Sequence, residues 1–263
     1  MRSHARTGAT TLVAFGMVAA GLVGASSAHA ASVETTVSSL NAGAETSPEP
    51  EGVMTLPENT MTEDPPSADE DITLEDVQAM FPDKVGDPDI VAEGLPSLNQ
   101  AMQDADITTP ERKAAFLATI AHESLFEYNI REQGDTRPYG GRGYIQLTGD
   151  FNYGPAGEYL GIDLLGNPDL AMSLEWSAPI ARWYWTVARD INPMADQLDM
   201  GAVNAAIGYP AGEEDNRRCA SFESALEYLT GSVPPGINCT RPAGLAGDTR
   251  DLTREQWEDR ISD

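Results

Sequence analysis

Two glutamates, Glu123 and Glu132, stand nine positions apart in Ala121-His-Glu-Ser124 and Arg131-Glu-Gln-Gly134, just ahead of the glycine-rich run Gly141-Arg-Gly-Tyr-Ile-Gln-Leu-Thr148. Two carboxylates beside a polar strip of this kind can cleave a glycosidic bond. One must hold a proton for the leaving oxygen, and the other must be ionised to activate water or stabilise positive charge. The strip alternates: if 142–148 is extended, Tyr144, Gln146 and Thr148 share one face and Ile145 and Leu147 the other. A ring, an amide and a hydroxyl on one face suit an N-acetylated sugar, and Asn152 and Tyr153 could lengthen that wall. The same alternation also fits a buried hairpin beside the core. Gly140, Gly141 and Gly143 would let backbone approach a ligand closely.

The elements that must position these groups are mostly helices. Thr109-Pro110 is an N-cap followed by proline at the first helical position, and the helix it opens runs to about Glu123. At 100° per residue, Phe116 and Ile120 lie about 40° apart and Glu123 falls within about 20° of Phe116, whereas His122 points away. Glu123 then ends an apolar stripe, and apolar surface favours the protonated carboxyl that a general acid needs. A solvated helix-end glutamate, salt-bridged to Arg131, is the competing reading. Glu132 has Arg131 and Arg137 nearby, and cations favour the ionised form that a base needs; a plain loop charge is its alternative. Elsewhere, Thr73-Leu-Glu-Asp76 is a capping box opening a short helix stopped by Pro82. Leu98, Ala101, Met102 and Ala105 form a second stripe, and later helices are expected over 151–160, 178–187 and 216–229. Residues 72–241 suffice for one core. The expected class is mainly α (α+β), with a small β element at 142–148 and a tail over 242–263 that carries a short helix near 254–261.

Residues 1–30 read as a secretory signal. Arg2 and Arg6 precede an apolar run from Leu12 to Val23, and Ala28-His-Ala30 is a small-x-small cleavage site. The run is short for a membrane span, so a secreted product beginning at Ala31, without membrane attachment, is expected, with a retained N-terminal anchor as the alternative. Residues 31–71 are rich in Ser, Thr, Pro, Glu and Ala and lack Lys and Arg, the composition of a disordered acidic linker. Without Arg2 and Arg6 the 16 basic side chains become 14 against 42 acidic ones, a net of −28. Nucleic acid and anionic membranes are poor partners for such a chain. A neutral or partly cationic polymer is compatible, as is charge that serves solubility alone. The only cysteines, Cys219 and Cys239, are expected to form one disulfide in an exported chain, closing a loop of about 20 residues worth on the order of 3 kcal/mol. With His122 the sole histidine beyond residue 30, neither a Cys/His zinc site nor H-E-x-x-H can be assembled. No metal or other cofactor is expected. A Ser-His-Asp hydrolase would also need G-x-S-x-G, which is absent.

His122-Glu123-Ser124, Arg131-Glu132-Gln133, Gly141-Arg-Gly143, Ile145-Gln-Leu-Thr148 and Phe151-Asn-Tyr-Gly154 together resemble family 19 of the glycoside hydrolases, in that family's order and spacing. The likeness continues through Gly161-Ile-Asp-Leu-Leu165, Asn167-Pro168, Val203-Asn-Ala205, Asn216-Arg217 and the cysteine pair. It implies a lysozyme-like, two-lobed helical domain over 72–241 with a central cleft. It also implies inverting hydrolysis of β-1,4-linked N-acetylglucosamine polymers by a monomer, with chitin as partner. Glu123 matches the family's general acid, Glu132 its general base, and Thr148 the hydroxyl that positions water. Gln146, Asn152 and Asn204 match sugar-binding positions, and Arg217 an arginine in the charge network near the acid. Gly140, Tyr144 and Gly149 depart from the chitinase pattern and lean toward a branch that includes peptidoglycan-cleaving lysins. The readings carried forward are therefore a secreted endo-acting chitinase, a lysozyme-like lysin, and a non-catalytic chitin- or wall-binding protein.

Overall fold

The computed structural model describes residues 70–208, 212–243 and 255–256. The expected signal (1–30) and nearly all of the acidic linker (31–71) lie outside the described residues, as does most of the 242–263 tail, of which Glu255 and Gln256 are helical.

The capping box predicted at Thr73 opens α1 (Leu74–Met80): the Thr73 N–H donates to Asp76 Oδ2 at 2.7 Å, and the Asp76 N–H donates to Thr73 Oγ1 at 3.2 Å. Helix α2 (Pro88–Asp104) contains the expected stripe but begins ten residues before Leu98, behind the Asp87 cap and Pro88. Helix α3 (Pro110–Ser124) is capped by Thr109, whose Oγ1 accepts from the Arg112 N–H at 3.3 Å. It is wrapped on all sides, since every residue from Lys113 to Ala121 is buried. A helix apolar all round belongs inside a core rather than on its surface. Ala114, Ala115, Ala118 and Ala121 let neighbouring elements approach closely. Its most extensive neighbour is α8 (Glu213–Thr230).

Between them run α4 (Asp150–Leu160), a 3-10 turn (Pro168–Met172), α5 (Ser177–Trp183), a π-turn (Tyr184–Ala188), α6 (Asn192–Asp196) and α7 (Met200–Ile207). The three later helices expected from sequence are present. The short α6 and α7 are not legible: all eight residues of α7 are buried, so no polar face marks its period. Trp183 and Trp185 belong to the core, 4% and 0% exposed, with Trp185 edge-on to Phe116 at 5.1 Å. The Cys219–Cys239 disulfide ties α8 to the following chain, and nearby Arg241 forks onto the Asp215 carboxylate at 3.0 and 2.9 Å.

The segment 142–148 is not a strand. Among the described residues the β structure here is two isolated bridges, Arg131 with Arg142 and Arg142 with Leu147. Gly143 (φ +72°) and Gln146 (φ +49°) are left-handed, which coils the chain and abolishes the alternating faces expected for it. Gly143 is required here twice over, because a Cβ would fall 2.0 Å from the Ala171 carbonyl oxygen.

Candidate active site

Helix α3 ends at Ser124, and the next two residues, Leu125 (φ +54°) and Phe126 (φ +63°), are both left-handed. Such a pair costs of order 1–2 kcal/mol per residue and persists only where packing enforces it. Phe126 supplies that packing: it is fully buried, 5.5 Å from Phe81. The reversed chain returns Glu132 alongside the glycine loop, where its N–H donates to the Gly141 carbonyl at 2.9 Å and the Gly143 N–H donates to Ile130 at 2.9 Å. Arg142 pins the loop from inside. Only 3% exposed, it donates to Asp169, to the Pro138 and Gly140 carbonyls and to the Tyr153 hydroxyl.

Glu123 and Glu132 line one cleft of about 230 Å³, together with Ile145, Gln146, Leu147, Thr148, Asn152, Tyr184, Ile207 and Arg218. Among the site residues named from sequence, Gln146, Thr148 and Asn152 thus join the two glutamates. Their remaining capacity is directional. The Gln146 amide donates to the Gly143 carbonyl at 2.9 Å, Thr148 Oγ1 donates to the Gln146 carbonyl at 2.8 Å, and the Asn152 amide donates to the Thr148 carbonyl at 2.8 Å. Each spends a donor on the loop, and all three residues line the cleft.

Glu123 does not rest on apolar surface alone. Its Oε1 accepts from Arg218 Nη2 at 2.6 Å, with the glutamate side chain 13% and the arginine side chain 5% exposed. The partner is not the Arg131 of the competing reading; Arg217, expected in the charge network near the acid, joins it one step back, through Glu214, which also meets Arg218. Arg217 is a half-exposed surface residue paired with Glu214 at 2.8 Å and Glu213 at 3.8 Å. The helix phase of α8 separates the two arginines: Arg218 aligns with the buried Phe222, Ala225 and Leu229, at +4, +7 and +11, whereas Arg217 is rotated about 100° off that stripe. That phase was present in the sequence and was the signal that could have found Arg218.

Behind Arg218 lies a chain of polar contacts missed from sequence. Glu214 Oε1 accepts from Arg218 Nε at 3.3 Å and stands 2.6 Å from His122 Nδ1, and His122 Nε2 lies 2.9 Å from Ser221 Oγ. A carboxylate can only accept, so Nδ1 carries the proton and Nε2 accepts from Ser221. The His122 side chain is 1% exposed. Burial pushes its pKa down to about 4; Glu214 opposes this, Arg218 adds to it, and the imidazole is neutral at pH 7. Glu214 is held below its usual value, its own burial outweighed by bonds from Arg217 and His122.

Glu132 is half-exposed, and its nearest cation is Arg137 at 3.6 Å. Arg137 is shared with Asp135, whose carboxyl it holds well below the usual range through direct bonds. A side chain at Gly141 would displace both cleft groups beside it, since a Cβ would meet Glu132 Oε2 at 3.2 Å and Gln146 Oε1 at 2.8 Å.

Two sequence assignments are corrected. Tyr144 is 1% exposed and turned into the core, where its hydroxyl sits against Gly94 of α2, and burial drives its pKa upward. Its backbone N–H, not its ring, is engaged locally, donating to Ser177 Oγ at 2.9 Å. The left-handed turns at Gly143 and Gln146 rotate it away from the face it would share with Gln146 in a strand. Asn204 is fully buried in α7, its amide 3.5 Å from the Asp215 carbonyl, and it does not line the cleft.

Residues 126–217 match the family model for chitinase class I, a span that contains Glu132 and the glycine loop and starts just after Glu123. An endochitinase of Arabidopsis thaliana is 37% identical over 145 residues, covering 48% of this chain and 50% of that protein. An endochitinase of Avena sativa is 38% identical over 134 residues, covering 48% and 62%. The chain thus spans about half the length of such relatives. Chitinase C from Streptomyces griseus has the same fold, with a TM-score of 0.52 at 22% identity over 68% of this chain and 99% of that one. The described domain is mostly helical, shares that lysozyme-like fold and sets two carboxylates on one cleft, the arrangement that cleavage of a glycosidic bond requires. Over residues 126–217, about a third of its length, the chain is similar to the chitinase class I family.

Proposed function

We propose that this chain is a secreted, monomeric endo-acting chitinase that hydrolyses β-1,4-linked N-acetylglucosamine polymers with inversion of configuration. One observation carries the reading: Glu123 and Glu132 line one cleft together with Gln146, Thr148 and Asn152, whose side chains are anchored to the loop by their donors. Protonated Glu123 gives its proton to the glycosidic oxygen as the C1–O bond breaks. Glu132 takes a proton from a water attacking C1 from the opposite face, while Thr148 Oγ1 accepts that water's second hydrogen. The products are an α-configured reducing end and a free 4-hydroxyl. Afterwards Glu123 is a carboxylate and Glu132 a carboxylic acid, and exchange with solvent restores both. Arg218 binds the Glu123 carboxylate left after the transfer and keeps it aimed at the cleft. The acceptor oxygens of Gln146 and Asn152 suit the N–H of an N-acetyl group.

Inversion needs the carboxyl groups about 6.5–9.5 Å apart, so that a water fits between sugar and base. Among the described residues no helix is long and apolar enough to cross a membrane. The test is reducing-sugar release from colloidal chitin and, in parallel, from purified peptidoglycan. Glu123→Gln is expected to lower kcat on chitin by several orders of magnitude with the native far-UV circular dichroism retained, and NMR of early products to show the α-anomer. Full activity in that variant, an excess of β-product, or release from peptidoglycan alone would each overturn part of the assignment.

A further inference from the structure

Thr148 and Asn152 both line the catalytic cleft, but Asp150 and Phe151 between them line a separate hollow of about 340 Å³, walled also by Tyr139 and Leu165. Gly149, one of the departures from the chitinase pattern, shapes it. At φ +85° it turns the chain into α4, and the Phe151 ring folds over it so closely that a Cβ would fall 2.2 Å from that ring. The Tyr139 hydroxyl donates to the Leu165 carbonyl at 3.1 Å and its ring packs 5.3 Å from Tyr153, which fixes the wall it forms. On the other side of Phe151 lies a larger hollow of about 660 Å³, with Tyr159 and Glu158 on its walls and Asn152 shared with the catalytic cleft. Tyr159 is 54% exposed. The three concavities are thus joined through single residues, first Asn152 and then Phe151. A cleft of about 230 Å³ holds only a short stretch of a polymer, and a bound chain extends beyond it.

Charge separates these hollows from the rest of the site. Asp135 is paired with Arg137, Asp169 with Arg142, and Glu214 with Arg217 and Arg218. Asp150 and Glu158 are exposed and pair with no cation among the described residues. Asp150 Oδ1 accepts from the neighbouring Phe151 N–H at 3.0 Å, which leaves acceptor capacity on a full negative charge. Arg189, which also borders the larger hollow, is 1% exposed and engaged by the Ala206 and Ala188 carbonyls and the Tyr184 ring. An aromatic wall offers apolar surface to the C–H face of a sugar. A carboxylate without a cation takes an ammonium through a charge-assisted hydrogen bond, and a ring face adds cation–π attraction. An acetamido group is neutral and gains neither.

We propose that these two hollows bind glucosamine units, so that the chain prefers a polymer from which part of the N-acetyl groups have been removed, with Asp150 and Glu158 selecting the free ammonium. This rests on the proposed cleavage of N-acetylglucosamine polymers in the adjoining cleft and adds a cationic substrate class to it. Binding is measured by calorimetry in the full chain carrying Glu123→Gln, which removes cleavage from the measurement. The ligands are two oligosaccharides of equal length, one fully N-acetylated and one partly deacetylated. At low salt the deacetylated ligand is expected to bind more tightly. Asp150→Asn is expected to weaken it about three- to fivefold, the order of one exposed ion pair, and to leave the acetylated ligand unchanged. Asp150→Asn together with Glu158→Gln is expected to bring the two affinities together. In about 1 M salt, where the Debye length is about 3 Å, the preference is expected to vanish without any substitution. Equal affinity for both ligands, a preference that persists in high salt, or one that survives the double substitution overturns the proposal. The whole chain carries a net charge of −26, so Glu75→Gln, an exposed acid on α1, serves as the control. An effect as large as that of Asp150→Asn would make the preference a general attraction and overturn the site. Absence of chitin hydrolysis by the unaltered chain would sink the catalytic reading instead, while these affinities still report on the hollows.

Discussion

Acidification should destabilise this domain through one residue, His122. Its side chain is 1% exposed between α3 and α8, and its pKa is pushed down from 6.5 to about 4, first by burial. Glu214 at 2.6 Å pulls the other way, while Arg218 and Lys84 add repulsion against an imidazolium. The unfolded chain takes up a proton near 6.5 and the folded one only near 4. Between these values the unfolded state binds more protons, so stability is full above pH 6.5 and is lost as pH falls toward 4. At 1.36 kcal/mol per unit, the interval of about 2.5 units amounts to roughly 3 kcal/mol at most. Glu214, also held below its usual value, continues the loss in the same direction at lower pH. Urea unfolding followed by tryptophan fluorescence at pH 7, 6, 5 and 4 would read the loss. In His122→Gln the slope between pH 6.5 and 4 should largely vanish, whatever the variant's absolute stability. The ring proton of His122 is readily followed by NMR, because the other two histidines, His4 and His29, lie in the first 30 residues. A titration midpoint at 6 or above, or equal slopes in wild type and variant, would refute the reasoning.

Other outcomes follow from the same contacts. Arg218→Met leaves the largely buried Glu123 without its cation, while Glu214 keeps Arg217. It should cost about 3–5 kcal/mol in urea unfolding and shift the His122 midpoint upward by NMR. Gly143→Ala places a Cβ 2.0 Å from the Ala171 carbonyl oxygen at φ +72°, so thermal unfolding should report a loss of about 3 kcal/mol or more. Replacing both Cys219 and Cys239 by Ser should cost about 2–4 kcal/mol, read as a lower urea midpoint than that of the oxidised parent.

The legible parts of this chain were those set by local chemistry. The Thr73 and Thr109 caps, the ends of α1 and α3, and the helices at α4, α5 and α8 follow from hydrogen-bonding side chains and apolar spacing within a few residues. The two glutamates were legible for the same reason, being a recognisable pair beside a recognisable loop. The short α6 and α7 were not, because α7 is buried on every side and carries no polar period to read. Tyr144 was misread because alternation presumes an extended backbone, and two left-handed residues, one of them the non-glycine Gln146, break it.

By itself, then, the sequence determined which carboxylates and polar side chains are available for glycosidic chemistry, and which helices deliver them. Only the tertiary structure decided which neighbour each one meets. Arg218 rather than Arg217 holds Glu123, because α8 turns one arginine inward against α3 and the other into water. His122, adjacent to Glu123 in the chain, is buried and kept neutral because α8 covers it with Glu214 and Ser221. Such pairings join residues 90 or more positions apart, with Glu123 and Arg218 separated by 95. No local propensity encodes them, since they arise only when the packing of two helices fixes their rotation about one another.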